Sequence, residues 1–245
     1  MNLKAVIKYG LYDTKKPLVI FYGIIYGLLI FLSLAFRKNG NVFVMGLEFA
    51  SLIFIFVAGL NSFKKCFEFY QANGISRKAQ HLGFIINVWI VAAGMALIDN
   101  INAFIFSKVI TYHSAFYQFY GNANSAVTKG AFDIFYFLQS FLWAMFAYAM
   151  FFTIGYSISL LYYKMNRTWK IIVSIGVPAL YYSFSMVDYW INDAKISYWL
   201  IDSVGITLGV AQNSHNPHLS VITTGLVTLI LTIINHAMIR KTALK

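Results

Sequence analysis

Six stretches of this chain, residues 17–36, 42–61, 82–106, 134–163, 171–187 and 219–239, are each long and apolar enough to cross a lipid bilayer. A hydrocarbon core of about 30 Å takes about 20 residues of helix, at a rise of about 1.5 Å per residue. Inside that core every backbone N–H and C=O must find its partner within the chain, so only helices and closed barrels can span it. Barrel strands read as runs of about ten alternating residues, and the sequence has none. Composition agrees: 60% of the residues are hydrophobic and 11% charged, against about 45–50% and about 25% in an ordinary soluble domain. So little charge cannot cover a water-facing surface. The sequence therefore predicts an all-α integral membrane protein with six transmembrane helices, forming a single domain over residues 1–245. Cys66 is the only cysteine, which excludes an internal disulfide.

The net charge is +11. A basic balance of that size can indicate nucleic acid, but here the charges lie between the apolar runs, and no RNA- or DNA-binding motif is present. Their distribution instead sets an orientation. With six spans both ends share one side. If that side is the cytoplasm, Lys4, Lys8, Lys15, Lys16, Lys64, Lys65, Arg77, Lys78, Lys164, Arg167, Lys170, Arg240, Lys241 and Lys245 are inside. Only Arg37, Lys38, Lys108, Lys129 and Lys195 are then outside. This is the bias that positions loops across a membrane. Both termini are expected in the cytoplasm, and the basic excess is expected to face lipid head groups. The Ser33-Leu34-Ala35 stretch loosely resembles a cleavage site, but the apolar run before it exceeds the 7–15 residues of a signal peptide, so it reads as a retained span.

Three segments between the spans carry further information. Residues 1–16 place Leu3, Val6, Ile7, Gly10 and Leu11 on one side of a helix with the lysines mostly elsewhere. This predicts a short amphipathic helix lying on the inner leaflet; a solvated basic leader is the plainer alternative. In residues 63–81, Phe63, Phe67, Tyr70 and Gln71 share a helical face, Gly74 can stop that helix in a left-handed cap, and Ser76 can cap the next one. Aromatics on a short basic cytosolic helix suit a protein groove, and an ordinary basic loop with interfacial aromatics fits equally well. Residues 188–217 contain an apolar element, 196–210, that is too short to span and reads as a re-entrant or extracellular helix between spans five and six. The loop 107–133, rich in tyrosine, reads as a partly structured cap.

Together these pieces resemble a bacterial ABC export permease of the small six-span type. Such permeases combine a basic amphipathic N-terminal helix, a cytosolic coupling helix between spans two and three, and short re-entrant helices between spans five and six. The most specific local match is Asn73-Gly74-Ile75-Ser76-Arg77-Lys78, similar to a Gly-x-Ser-Arg-Lys stretch in permeases of Gram-positive bacteria. The architectural likeness covers the whole chain and the sequence match about six residues. Within the family, size and pattern are similar to exporters of amphipathic peptide toxins, and related permeases export bacteriocins or confer immunity to them. The resemblance implies a bacterial cytoplasmic membrane, a second permease chain (a homodimer or a heterodimer), and two copies of a separate cytosolic ATPase. The chain itself has no Gly-x4-Gly-Lys-Ser/Thr loop to cradle nucleotide phosphates. No cofactor is expected on it, ATP and Mg belonging to the partner, and it is not expected to be an enzyme.

The resemblance also implies roles. Phe67 and Tyr70 would fill an apolar groove on the ATPase, Glu68 would pair with a basic residue there, Gly74 would allow the turn, Ser76 would cap the next helix, and Arg77 would anchor the loop at the head groups. For the pathway, acids inside apolar spans are functional candidates. Glu48 is expected to line an outward vestibule or, alternatively, to pair with Arg37 or Lys38 or snorkel to the interface; Asp99 is expected to snorkel or pair at the outer interface. Span five puts Pro178, Tyr181 and Tyr182 near one face, where a proline kink suits a pore-lining helix. Ser51, Ile55, Ala58 and Ser62 form a small-residue face expected at the seam between permease chains. Three rivals remain. An intramembrane metalloenzyme lacks a His-Glu-x-x-His pair, and His215-Asn216-Pro217-His218 is weak as a metal site. A secondary transporter would show repeats and central charges, and a toxin-immunity protein would act without an ATPase.

Overall fold

The computed structural model describes residues 3–35, 43–108, 111–121, 133–210, 215–240 and 242. Among these, six helices are long and apolar enough to cross a membrane. They are α1 (Leu3–Ala35), α2 (Leu47–Ala72), α3 (Arg77–Phe106), α5 (Ile134–Lys164), α6 (Arg167–Asn192) and α8 (Pro217–Arg240). Two short helices, α4 (Ala115–Tyr120) and α7 (Lys195–Thr207), are the other helices among the described residues. Strands β1 (Phe43–Met45) and β2 (Thr111–His113) pair in parallel with Phe43 opposite Thr111. Both strands lie at the end opposite the basic turns. The protein is multi-pass and almost wholly helical, as its hydropathy requires.

Residues 3–16 differ from the expectation of a separate surface helix. They run without a break into the first span, making α1 a single helix of 33 residues. Pro17 lies inside it and removes one backbone bond without ending it. The reason is lateral packing. Val6 is fully buried and a Cβ at Gly83 would meet its side chain at 2.5 Å. The Tyr70 hydroxyl donates to the Val6 carbonyl at 2.9 Å, and Tyr9 stacks on Phe69 with centroids 4.1 Å apart. The N-terminal turns are thus docked on α2 and α3, and further along α1 the contacts continue up α3 to Asn102.

Nor is there a separate helix between spans two and three. α2 continues through Phe63 to Ala72, turns at Gly74 with φ of 68°, and α3 starts at Arg77 with Ser76 accepting from the Ala79 amide at 3.3 Å. The stop and start signals act as read, but on the spans themselves.

α5 is the centre of the bundle, packed against α2, α3 and α8. It meets α2 backbone to backbone: a Cβ at Gly59 would lie 2.2 Å from the Phe152 carbonyl oxygen, and one at Gly155 would lie 2.3 Å from that of Phe56. This is how small residues let helices approach without a hydrophobic drive in lipid. Below the crossing, Phe63, Phe67, Phe84, Tyr156 and Tyr163 interlock, with Phe84 and Tyr156 stacked at 3.7 Å. The Trp143 indole donates to Ser220 of α8 at 3.2 Å.

α6 stands apart. Tyr181 is 75% and Trp190 77% exposed, and among the described residues almost nothing covers its apolar face. Its last turn instead organises α7. The buried Asp188 carboxylate accepts from the amides of Ile196 and Ser197 and from the Ser197 hydroxyl, at 2.7–3.3 Å. The connection passes through Asp193 and Ala194, both left-handed. α7 has 13 residues, about 20 Å of helix, which is too short to span.

Candidate functional site

Two acids, Glu48 and Asp99, sit inside the apolar bundle toward the ends of α2 and α3 that lie opposite the basic turns. Asp99, on α3, is 7% exposed. One carboxylate oxygen accepts from the Tyr22 hydroxyl of α1 at 2.8 Å, and the other accepts from the Tyr148 hydroxyl of α5. Tyr148 itself is fully buried. Beside this cluster, Tyr26 donates to Asn102 at 2.9 Å, and the Ser140 hydroxyl donates to Asn100. Asp99 therefore neither snorkels nor pairs with a base. It is held by phenols from two other helices.

Glu48, in the first turn of α2, is 6% exposed and accepts from the Tyr112 hydroxyl at 3.0 Å and the Ala115 amide at 3.1 Å. It thus ties α2 to the β2–α4 segment rather than lining an open vestibule. Arg37 and Lys38, its alternative partners, lie outside the described residues. Burial, then the neighbouring Glu48 carboxylate, push the Tyr112 phenol far above its ordinary pKa, so this hydroxyl stays a donor at any pH a cell reaches. Ser51 is 1% exposed one turn along; its hydroxyl lies near Asp99 and Tyr22 but does not meet hydrogen-bond geometry with either. Among the described residues, every hydrogen bond to these two carboxylates comes from a phenol or an amide, and no lysine or arginine joins them.

The remaining pathway candidates divide. Ile55 and Ser51 are buried, whereas Ala58 and Ser62, the rest of the small-residue face of α2, are half-buried. Pro178, Tyr181 and Tyr182 lie together on the exposed α6. They are far from the acid cluster in connectivity, since α6 packs mainly on α7.

At the basic end, Phe67 and Tyr70 are buried, at 0% and 3% exposure. This corrects the expectation that they dock into a partner's groove. Phe67 packs on Phe63 and Tyr163, and Tyr70 holds α1. A helical face of aromatics identifies what is buried, not which chain buries it. What the segment does expose is Phe69, Asn73, Gly74, Ser76 and Lys78, with Glu68 half-buried. Arg77 is not spread on head groups: its guanidinium donates to the Ile239 carbonyl at 3.4 Å and to the Arg240 carbonyl, capping the C-terminal end of α8.

The residues that sequence reasoning missed are Tyr22 and Tyr148. Their signal was a hydroxyl inside an apolar span, which is common enough to be passed over without the carboxylate it serves. Among the described residues no group of three or more His, Cys, Asp or Glu side chains converges as a metal site would require. No protein-family model, curated protein or solved structure matches the chain.

Proposed function

We propose that the chain is the permease subunit of an ATP-driven ABC exporter. With a second permease chain it would form the path for an amphipathic or hydrophobic substrate, of the class of peptide toxins or antimicrobial peptides, in the bacterial cytoplasmic membrane. A separate ATPase subunit, two copies per complex, would bind ATP and Mg and supply the energy. The observation that carries this reading is the incomplete bundle. α6 and α7 leave their apolar faces uncovered by the described residues, as expected of half a pathway whose other half is another chain. Pro178, Tyr181 and Tyr182 lie on that uncovered helix and are the pathway residues retained. The exposed turn from Asn73 to Lys78, with Glu68 beside it, is the retained coupling surface. Phe67 and Tyr70 support that surface from within.

ATP-driven closure of the ATPase pair moves the turn, and the membrane dimer shifts between two states that bind the pair differently. The test is a mild-detergent pull-down of the tagged chain from its own membranes, with mass spectrometry of what accompanies it. A stoichiometric cytosolic ATPase supports the reading. A chain that purifies alone, with full activity, removes it and favours toxin immunity or secondary transport.

The acid cluster favours a second reading, a self-contained cation-coupled transporter. Buried membrane carboxyls without a basic partner are the usual carriers of protons or metal cations. Asp99→Asn separates the two. It abolishes transport in the second reading. In the first it leaves ATP-dependent transport within about twofold, because the amide keeps one acceptor oxygen for the tyrosines.

A further inference from the structure

The basic ends of α2, α5 and α6 converge on an open cleft of about 290 Å³, lined by Lys64, Glu68, Ser159, Tyr162, Tyr163 and Lys170. It lies apart from the acid cluster and shares only Glu68 with the proposed coupling surface. Its depth follows from α2. Lys64 is seventeen residues beyond Leu47, the first residue of that helix, or about 26 Å along the axis. That is close to one hydrocarbon thickness of about 30 Å, so the cleft lies at the membrane boundary. The other walls agree: Tyr162 and Tyr163 are in the last turn of α5, and Lys170 is in the first turn of α6.

The charge balance of the cleft favours an anion. Two ammonium groups face one carboxylate, so Glu68 can offset only one lysine. The positive end of the α6 dipole adds to the second, and the Asn166 side chain does not cap it. The Tyr162 hydroxyl is already within hydrogen-bond distance of Ser174, at 2.9 Å; Ser159 and Tyr163 carry the other hydroxyls of the wall.

The rim distinguishes the source of that anion. Leu161, Trp169 and Ile171 adjoin the lining residues Tyr162 and Lys170 in sequence, and with Ile172 they form an apolar rim 42–59% exposed. A soluble phosphate compound has no use for such a rim, and an acidic protein segment would leave it wet. Acyl chains cover it. Basic pockets between spanning helices at the cytoplasmic face are lipid head-group sites on general electrostatic grounds.

We infer that this cleft binds an anionic phospholipid, with the head-group phosphate between Lys64 and Lys170 and the acyl chains along Leu161, Ile171 and Ile172. The inference does not depend on the exporter reading.

The test uses the full chain purified in a neutral detergent and titrated with phosphatidylglycerol, phosphatidylcholine or inorganic phosphate, reading the thermal midpoint and lipid retained in native mass spectrometry. Phosphatidylglycerol should raise the midpoint and stay bound, and phosphatidylcholine should do neither. Lys64→Gln with Lys170→Gln should raise the half-saturating phosphatidylglycerol about tenfold to thirtyfold, the scale expected for two basic contacts near a charged surface. Lys4→Gln with Lys8→Gln, which removes the same charge from α1, should leave it unchanged. If the glutamine pair fails to fold, Lys64→Arg with Lys170→Arg keeps the charge and should keep the binding; loss of binding in a folded arginine pair overturns the site. Equal weakening by both glutamine pairs, or equal protection by inorganic phosphate, overturns a lipid site here. So does a glutamine pair that keeps phosphatidylglycerol but loses a co-purifying protein, which would make the cleft a docking notch.

Discussion

A methyl group added at Gly59 should measure the α2–α5 contact directly. Its carbon would lie 2.2 Å from the Phe152 carbonyl oxygen, 3.0 Å from the carbonyl carbon and 3.1 Å from the Tyr156 amide nitrogen, whereas ordinary contact begins at 3.4 Å. All three neighbours are backbone, so no side chain can rotate away. The helices must part by about 1 Å, which forfeits a quarter to a half of the dispersion well along the seam. Overpacking of one methyl in a filled interior costs about 1–3 kcal/mol. Against this, alanine gains about 1 kcal/mol over glycine in a helix. Gly94→Ala supplies the control, because a Cβ there meets nothing within 4 Å. The difference between the two variants should therefore be about 1–3 kcal/mol in favour of Gly94→Ala. Thermal unfolding in detergent, followed by size-exclusion chromatography, reads it. Gly59→Ala as stable as Gly94→Ala would refute the backbone crossing and with it the central place of α5.

Three further outcomes are expected. Tyr148→Phe removes one donor from Asp99 in a fully buried site and should cost about 1–3 kcal/mol, read as a lower unfolding midpoint with unchanged oligomeric state. Arg77→Gln removes a cation from the end of α8, a loss of about 0.3–1 kcal/mol. Amide exchange near Ile239 should quicken while the global midpoint holds; no change there discards the cap. With Cys66→Ser the chain has no cysteine. Ser76→Cys in that background should react with a membrane-impermeant maleimide only after cells are opened, and His215→Cys should react in intact cells. The opposite pattern inverts the topology.

The spans were legible because hydropathy acts locally and the bilayer fixes the length it must cover. Gly74 and Ser76 were legible for a similar reason: a left-handed turn and a side-chain cap involve residues within three positions of each other. The polar interior was not legible. Asp99 and Tyr22 are 77 positions apart, and Asp99 and Tyr148 are 49 apart, so nothing local marks them as partners. Phe67 and Tyr70 show another limit. Their spacing announced a face that must be covered, and α1 and α5 cover it from distant parts of the sequence. Residues 1–16 were separated from span one on the strength of their amphipathic spacing and lysines, yet docking on Gly83 outweighs the backbone bond lost at Pro17.

The continuous α1 has a mechanical consequence. It is about 50 Å long and is fastened twice, at Val6 to Tyr70 near the basic turn and at Tyr22 to Asp99 deep in the bundle. A push on the turn need not pass from side chain to side chain to reach the acid cluster, because a rigid rod already joins them. Pro17 lies between the two fastenings, where a rung of the ladder is missing. A missing rung is a place where that rod can flex, and so one that sets how much of a movement at one end arrives at the other.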